Sequence, residues 1–413
     1  MSFAQTIRSL RQPPEGLQIV AMAMLPGALA GVQMAGLLFF LNPDLPFATG
    51  PLLRAVLIFG TLWSLVTAAV LVPLTWGHLG RARRILPWAI VVVLAISSFV
   101  DWFHASHLSF YMPPGINTRL IKAAVALSAT ALAGFYTALL HSFQGPHGRP
   151  YGIRSRLLMA LLVVTSIYIM VERREAFEPL TTATPRPSSV EPGQRPTLWV
   201  VGVGGITLDA LLPLVQEGRL PFFAEILEQG AHARLTSYAP RRTGALWTSL
   251  VTGKLPYRHG VLDDVIFRAG LLSPEATLRL APVGVDFTHW GMLGSPTTRV
   301  DAGSTGVLPA WQILHRLGLR CGLIGWPLTD PVMEEASFAF SDRFFDGQFG
   351  RSSAQPKELS ERGTLFRPQT SEVGGGLDEI SPVNRSALVQ DQWRESLTGF
   401  LLDQEFCCLA QAQ

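Results

Sequence analysis

The run Gln18–Leu41 contains no charged side chain. A helix of about 20 apolar residues is long enough to cross the hydrocarbon layer of a membrane. The run is too long for the apolar segment of a signal peptide, and further apolar runs follow it. It therefore predicts an uncleaved membrane anchor, and it commits the first part of the chain to a helical structure in lipid.

Four further apolar runs follow it: Ala55–Trp76, Ile85–Val100, Ala123–Leu140 and Leu157–Val171. Together with the first run they predict a membrane domain of five transmembrane helices over residues 1–174, with the lipid bilayer as its partner. The third and fifth runs are short. The fifth is also compatible with an interfacial or buried helix, and a crossing is the favoured interpretation.

The positions of the arginines predict the orientation of these helices. Arg8 and Arg11 precede the first apolar run. The loop between the second and third runs contains Arg81, Arg83 and Arg84, and the loop between the fourth and fifth runs contains Arg149, Arg154 and Arg156. Loops rich in arginine stay in the cytoplasm. We therefore expect a plasma (inner) membrane protein with a cytoplasmic N terminus, whose second half lies outside, in the periplasm. Arg173 and Arg174 argue mildly against the fifth crossing, without which the second half is cytoplasmic.

Charge and cysteine content exclude two classes of protein. The net charge is only +3 and the arginines lie between apolar runs, so no nucleic-acid partner is expected. Three cysteines do not form a disulfide framework in a chain of this length.

Two smaller patterns lie inside the apolar region. Gly27, Gly31 and Ala35 share one helix face, which favours close packing within the bundle over a dimer seam. An acid and two histidines near the end of the third run are compatible with a relay or a metal site, but the aromatic residues beside them favour an interfacial belt. This group comprises Asp101, Trp102, His104, His107, Phe110 and Tyr111.

Residues 175–197 are rich in Pro, Thr and Ser and predict an extended linker. Residues 198–413 alternate strand and helix patterns, which indicates a three-layer α/β domain. The predicted strands are Leu198–Val203, Ala231–Tyr238 and Arg320–Trp326. The predicted helices run from a Thr207 cap to about Glu217, over Pro221–Gln229, Gly244–Leu250 and Pro309–Leu317, and along a last face of Val389, Trp393, Leu397, Phe400 and Leu401. Residues 350–385 read as loop.

Glycines after the first predicted strand allow a weak dinucleotide-binding interpretation. Gly202, Gly204 and Gly205 precede a helix, but Thr207 stands where the third glycine of the fingerprint is required. This interpretation is therefore disfavoured.

Three longer segments carry a more specific pattern: EGRLPFFAEILEQGAHARL, APRRTGALWTSLVTGKLPYRHGV and VLPAWQILHRLGLRCGLIGWPLTDP. In order and spacing they resemble the type I phosphodiesterase/nucleotide pyrophosphatase family of the alkaline phosphatase superfamily. The resemblance implies an α/β domain with two metal ions, usually zinc, that hydrolyses phosphate esters. It also implies that a Thr or Ser attacks phosphorus and contacts metal, and Thr243 falls on that position.

The chemistry around Thr243 is compatible with this role. A hydroxyl is a weak nucleophile unless a cation or base activates it. Thr243 precedes a short helix, whose first N–H groups can hold an anion, and Arg241 and Arg242 add positive charge for substrate binding. The alternative is that Thr243 only caps the helix. Asp264, with Asp263, either lines the pocket or belongs to a solvated loop, and His259 is expected to be structural.

The sequence also departs from the family pattern. Gly204 stands where the family has a metal-binding Asp, and no histidine follows His315. A two-metal centre needs several converging Asp and His ligands. We therefore expect a domain incomplete at its C-terminal end, apparently truncated, with incomplete metal binding and little or no activity by itself.

Two alternatives stay open. The outer domain could be a non-catalytic module that binds an anionic ligand or a protein partner, including another copy of the chain. It could also transfer a phosphorus-containing group to an envelope lipid or sugar, which rests on architecture alone.

Overall fold

The computed structural model describes residues 14–42, 45, 48–143, 152–171, 198–203, 207–270, 272, 277–278, 297–333, 336–346, 353–367 and 382–403. The first part is helical: α1 (Glu15–Leu41), α2 (Thr49–Thr75), α3 (Leu79–His107), α4 (Pro114–Ser142) and α5 (Ile153–Val171). In the described residues, four helices within this set, α1 to α4, are long and apolar enough to span a membrane. The fifth predicted run forms helix α5, and its crossing stays a prediction.

Helices α1 and α2 approach each other closely at two glycines. A Cβ atom on Gly27 would overlap the Trp63 carbonyl oxygen, and one on Gly31 would overlap the Gly60 backbone. Small residues at this spacing allow helix backbones to meet. The predicted role of this face in packing within the bundle is confirmed.

The contacts divide the chain into two compact units. One contains Met1–Ala183 and Arg242–Val307, and the other contains Thr184–Arg241 and Leu308–Gln413. This division differs from the boundaries predicted at 174/175 and 197/198, because described residues between Arg242 and Val307 pack with the apolar helices. The predicted boundaries themselves stay predictions.

In the first unit, helix α8 (Thr243–Thr252) and the short helix α9 (Pro256–His259) precede a small sheet. Its strands β1 (Val265–Arg268), β2 (Thr277–Leu278) and β3 (Thr297–Arg299) are antiparallel in the order β2-β1-β3. An apolar cluster joins this sheet region to the end of α1 and the start of α2: Ala35, Leu38, Phe39, Leu45, Ala55, Phe267, Ala269, Leu272 and Leu278. Arg54 Nη1 also donates to the Leu272 carbonyl at 3.2 Å.

The second unit contains helices α6 (Leu208–Gln216), α7 (Pro221–Gln229), α10 (Ala310–Arg316), α11 (Lys357–Thr364) and α12 (Pro382–Asp403). Strand β4 (Gly322–Trp326) pairs in parallel with β5 (Phe338–Ser341), and β5 pairs antiparallel with β6 (Ala354–Gln355). The Thr207 hydroxyl caps α6 by accepting from Ala210 N at 3.3 Å, as predicted. The predicted helices at 221–229 and 309–317 and the strand at 320–326 are confirmed.

The last helix buries the predicted apolar face. Trp393, Leu397 and Leu401 are buried in a cluster with Phe344 and Phe345, which lie in the turn that follows β5. Trp393 Nε1 also donates to the Gly363 carbonyl at 2.8 Å, which fixes α12 against α11. Val389 is partly buried, and the side chain of Phe400 lies outside the described residues.

Three predictions about this unit were wrong. Leu198–Val203 and Ala231–Tyr238 form no strand and are mostly exposed, with Leu198 at 85% and Leu235 at 87%. A continuous apolar run becomes a buried strand only when strands pair on both of its sides, and none pairs with it among the described residues. Within the predicted loop 350–385, β6 and α11 form because Leu359 is buried against the core.

The fold class combines the apolar helices with a region of helices and small sheets, which is compatible with an α/β domain of the alkaline phosphatase type. In the described residues, the strands form two separate three-stranded sheets.

Candidate functional site

The site suggested by the sequence lies at the start of α8. Thr243 is the first residue of this helix and is exposed. The N-cap is Arg242, which makes no capping hydrogen bond through its side chain. Gly253 ends the helix in the left-handed conformation, at φ 63°. Thr243 therefore does not cap the helix, and its hydroxyl has no hydrogen-bond partner within the described part of the chain.

Arg242 is buried below this surface. Its side chain is only 5% exposed, and its Nη1 donates to Asp263 Oδ2 at 2.5 Å. The guanidinium also lies over the Tyr111 ring, 5.9 Å from its centroid. Arg241, by contrast, is exposed. The two adjacent arginines therefore face different environments, and only Arg241 is open to a soluble ligand.

Asp264 lies against the first turn of α8. A Cβ atom on Gly244 would overlap Asp264 Oδ1 and would lie 3.1 Å from the Asp264 nitrogen. Only glycine allows this approach of the carboxylate to the helix start. The N-terminal end of a helix favours negative charge, so the Asp264 carboxylate is stabilised at this position.

His259 supports the helix from inside. It is 0% exposed, its Nδ1 accepts from Val261 N at 3.2 Å, and its Nε2 lies 3.0 Å from Ser249 Oγ. Burial lowers the pKa of His259 to about 4, and a hydrogen bond with the Ala245 backbone offsets part of this effect. At neutral pH the ring is therefore uncharged, with its proton on Nε2, and both nitrogens are engaged. This arrangement agrees with the expected structural role.

The described residues do not fit a two-metal centre. Among them, no group of three His, Cys, Asp or Glu side chains lies close enough together to hold a metal ion. Of the two carboxylates beside α8, Asp263 is already paired with Arg242. Gly204, which stands at the position of the expected Asp ligand, lies outside the described residues, and so does His289. His315 is exposed on α10.

Two contacts in this site are not predicted by the sequence: the packing of Arg242 on Tyr111 and its ion pair with Asp263. Tyr111 was assigned to an interfacial belt, but it is 2% exposed and lies under Arg242. Asp263 was considered as a pocket or loop residue, and its pairing with Arg242 was not foreseen. No local sequence pattern signals the contact between Arg242 and Tyr111, because these two residues are far apart along the chain.

Comparison with known proteins supports the resemblance. The family model for type I phosphodiesterase/nucleotide pyrophosphatase matches residues 198–389, a range that includes Arg241, Arg242, Thr243 and Asp264. No match was found among curated proteins or among solved structures. Proteins of this family use metal ions. Residues 198–389 therefore match the type I phosphodiesterase/nucleotide pyrophosphatase family, and they follow an N-terminal region with four helices in its described part that are long and apolar enough to span a membrane.

Proposed function

We propose that this chain is a membrane-anchored, phosphodiesterase-like protein that binds phosphate esters at the start of α8 and hydrolyses them little or not at all. The observation that carries the proposal is the contrast between the residues around Thr243. The Thr243 hydroxyl and Arg241 are exposed, whereas the Asp263 carboxylate is paired with Arg242.

Binding requires only groups that this segment offers. A phosphate oxygen can accept hydrogen bonds from a hydroxyl, from backbone N–H groups of a helix start and from an arginine. Thr243 and the first turn of α8 supply the first two kinds of donor, and Arg241 stands two residues before Thr243 along the chain. Arg242 acts as a positioning residue, because its pairing with Asp263 fixes the loop before β1 against the start of α8.

Hydrolysis requires more than this. Attack by a threonine hydroxyl needs a cation or base that lowers its pKa. His259 cannot serve as that base, because it is fully buried and bonded to Ser249 and Val261. If the family's metals, zinc or another divalent ion, bind here at all, they require ligands beyond the described residues. The transferase alternative needs the same activation and has no separate observation in its favour.

The packing of the first unit supports the proposed topology. Successive transmembrane helices alternate in direction, so the end of α1, the start of α2 and the α3–α4 turn lie on one side. Described residues between Arg242 and Val307 contact Phe39, Arg54 and Tyr111 on that side. The end of α4 lies on the other side, so the proposed topology needs one more crossing before Arg242. This supports α5 as a fifth span and, with the arginine distribution, an outer location for α8.

Replacing Arg241 with Ala is expected to weaken the binding of phenyl phosphate by about five-fold, because an exposed charge pair contributes about 1 kcal/mol. Titration calorimetry of the purified full chain, with EDTA present, measures the dissociation constant. Arg219→Ala, which removes another exposed arginine, is the matched control and leaves the constant unchanged. Equal binding by wild type and Arg241→Ala would contradict the proposal.

Asp264→Asn separates the two possible roles of this carboxylate. Without metal, the Asp264 charge repels the bound phosphate, so Asn is expected to strengthen binding of phenyl phosphate by about three- to ten-fold. If Asp264 instead binds a metal that holds the ester, the same change weakens binding. Asp391→Asn, an exposed acid on α12, controls for the change in net charge.

A further inference from the structure

We infer that the phosphate ester bound beside Thr243 is carried by a lipid, with its phosphate at the headgroup level of the membrane. This inference rests on the binding function proposed above and specifies the class of ligand. It comes from the way in which α8 and its sheet are attached to the apolar helices of the same compact unit.

The attachment is direct. Phe267 and Leu272 belong to one apolar cluster with Leu38 and Phe39 of α1. Arg54, in the first two turns of α2, donates to the Leu272 carbonyl at 3.2 Å. The sheet that follows α8 is therefore built on the ends of the helices.

The start of α8 has its own contact with the helix ends. Arg242 lies over the ring of Tyr111, in the turn between α3 and α4, with 5.9 Å between the guanidinium carbon and the ring centroid. Thr243 follows Arg242 directly in the sequence, so its Cα atom lies about 3.8 Å from that of Arg242. The Thr243 backbone is therefore separated from the α3–α4 turn by no more than one residue and the length of an arginine side chain.

Exposed aromatic residues identify that level. Trp102, Phe103 and Phe110, at the end of α3 and in the following turn, are each 43% exposed. Tryptophan and other aromatic side chains concentrate at the boundary between hydrocarbon and water. The α3–α4 turn therefore lies at headgroup depth, and a phosphate that reaches Thr243 lies near the headgroups of the outer leaflet.

The charges at this surface favour an anionic lipid. Lys254 and Arg258, which follow α8, are exposed. Exposed cations near a membrane surface attract anionic lipids. The Asp264 carboxylate opposes this attraction at the helix start. The acyl chains of a lipid ligand remain in the bilayer and supply additional affinity, which a soluble ester lacks.

Two measurements test the inference. In the first, the full chain is placed in phosphatidylcholine nanodiscs with a minor fraction of phosphatidic acid, with EDTA present, and bound lipid is quantified by native mass spectrometry. sn-Glycerol 3-phosphate, which has the same phosphate ester without acyl chains, is the competitor. We expect phosphatidic acid to bind at least ten-fold more tightly, and Arg241→Ala to weaken its binding several-fold.

The second measurement tests depth independently of binding. A fluorophore is attached to Thr243→Cys in a chain whose native cysteines are replaced by Ser, and lipids with a nitroxide on the headgroup are added. Strong quenching is expected, compared with the same dye free in solution, and quenching no greater than that of the free dye would overturn the inference. Equal affinity for glycerol 3-phosphate and phosphatidic acid would overturn it and leave the proposed binding function standing. Binding of neither ester would overturn both.

Discussion

Replacing Asp263 with Ala is expected to destabilise the α8 region by about 3–5 kcal/mol, because removing one member of a buried ion pair leaves the other charge without compensation. The Arg242 and Asp263 side chains are only 5% and 13% exposed, and 2.5 Å separates Arg242 Nη1 from Asp263 Oδ2. Hydrogen–deuterium exchange of the amides in residues 243–252 measures the free energy of local opening. Faster exchange throughout α8 is the expected result.

A double substitution and a surface control give this prediction its specificity. Changing Arg242 to Met and Asp263 to Leu together removes both charges, and we expect most of the lost stability to return. Asp391 pairs with Arg394 at 2.8 Å, but its side chain is 69% exposed. Asp391→Ala should cost at most about 1 kcal/mol. If Asp263→Ala is as mild as Asp391→Ala, the pair does not hold the start of α8.

Replacing Trp393 with Ala should have an effect of similar size in the second unit. Trp393 is 0% exposed, and its ring lies 5.2 Å from that of Phe344 and 5.3 Å from that of Phe345. Truncating a buried tryptophan to alanine costs about 3–5 kcal/mol through lost apolar contact and the cavity that remains. The Gly363 carbonyl also loses its donor. Hydrogen exchange of α11 and α12 measures the loss.

Two further variants separate packing from the hydrogen bond. Trp393→Phe keeps an aromatic ring but removes the Nε1 donor, and we expect a cost of about 1–2 kcal/mol. Leu388→Ala changes a residue of the same helix that is 40% exposed, and should have little effect. Equal losses for Trp393→Phe and Trp393→Ala would show that the hydrogen bond, and not the packed ring, dominates.

Local patterns predicted much of the fold. The uncharged runs became helices α1 to α5, Thr207 caps α6, and Gly253 ends α8. These features depend on residues within a few positions of one another, such as apolar spacing and caps. The sequence therefore contains nearly all the information that they require.

The failures involve partners distant along the chain. Leu198–Val203 has the composition of a buried strand, but composition does not reveal whether neighbouring strands are available. Tyr111 resembles a belt residue until Arg242 packs over it. For the site, the family resemblance located Thr243, Arg241, Arg242 and Asp264. It did not reveal that Arg242 is buried against Asp263 whereas Arg241 is exposed.

The most direct test of the proposed function is phosphodiester turnover by the purified full chain supplied with zinc, compared between wild type and Thr243→Ala. We expect wild type to hydrolyse bis(p-nitrophenyl) phosphate no faster than Thr243→Ala does, and to retain fewer zinc ions than the pair that the family's chemistry requires. Turnover that disappears in Thr243→Ala, persists in Thr243→Ser and accompanies a full pair of tightly held ions would contradict the account.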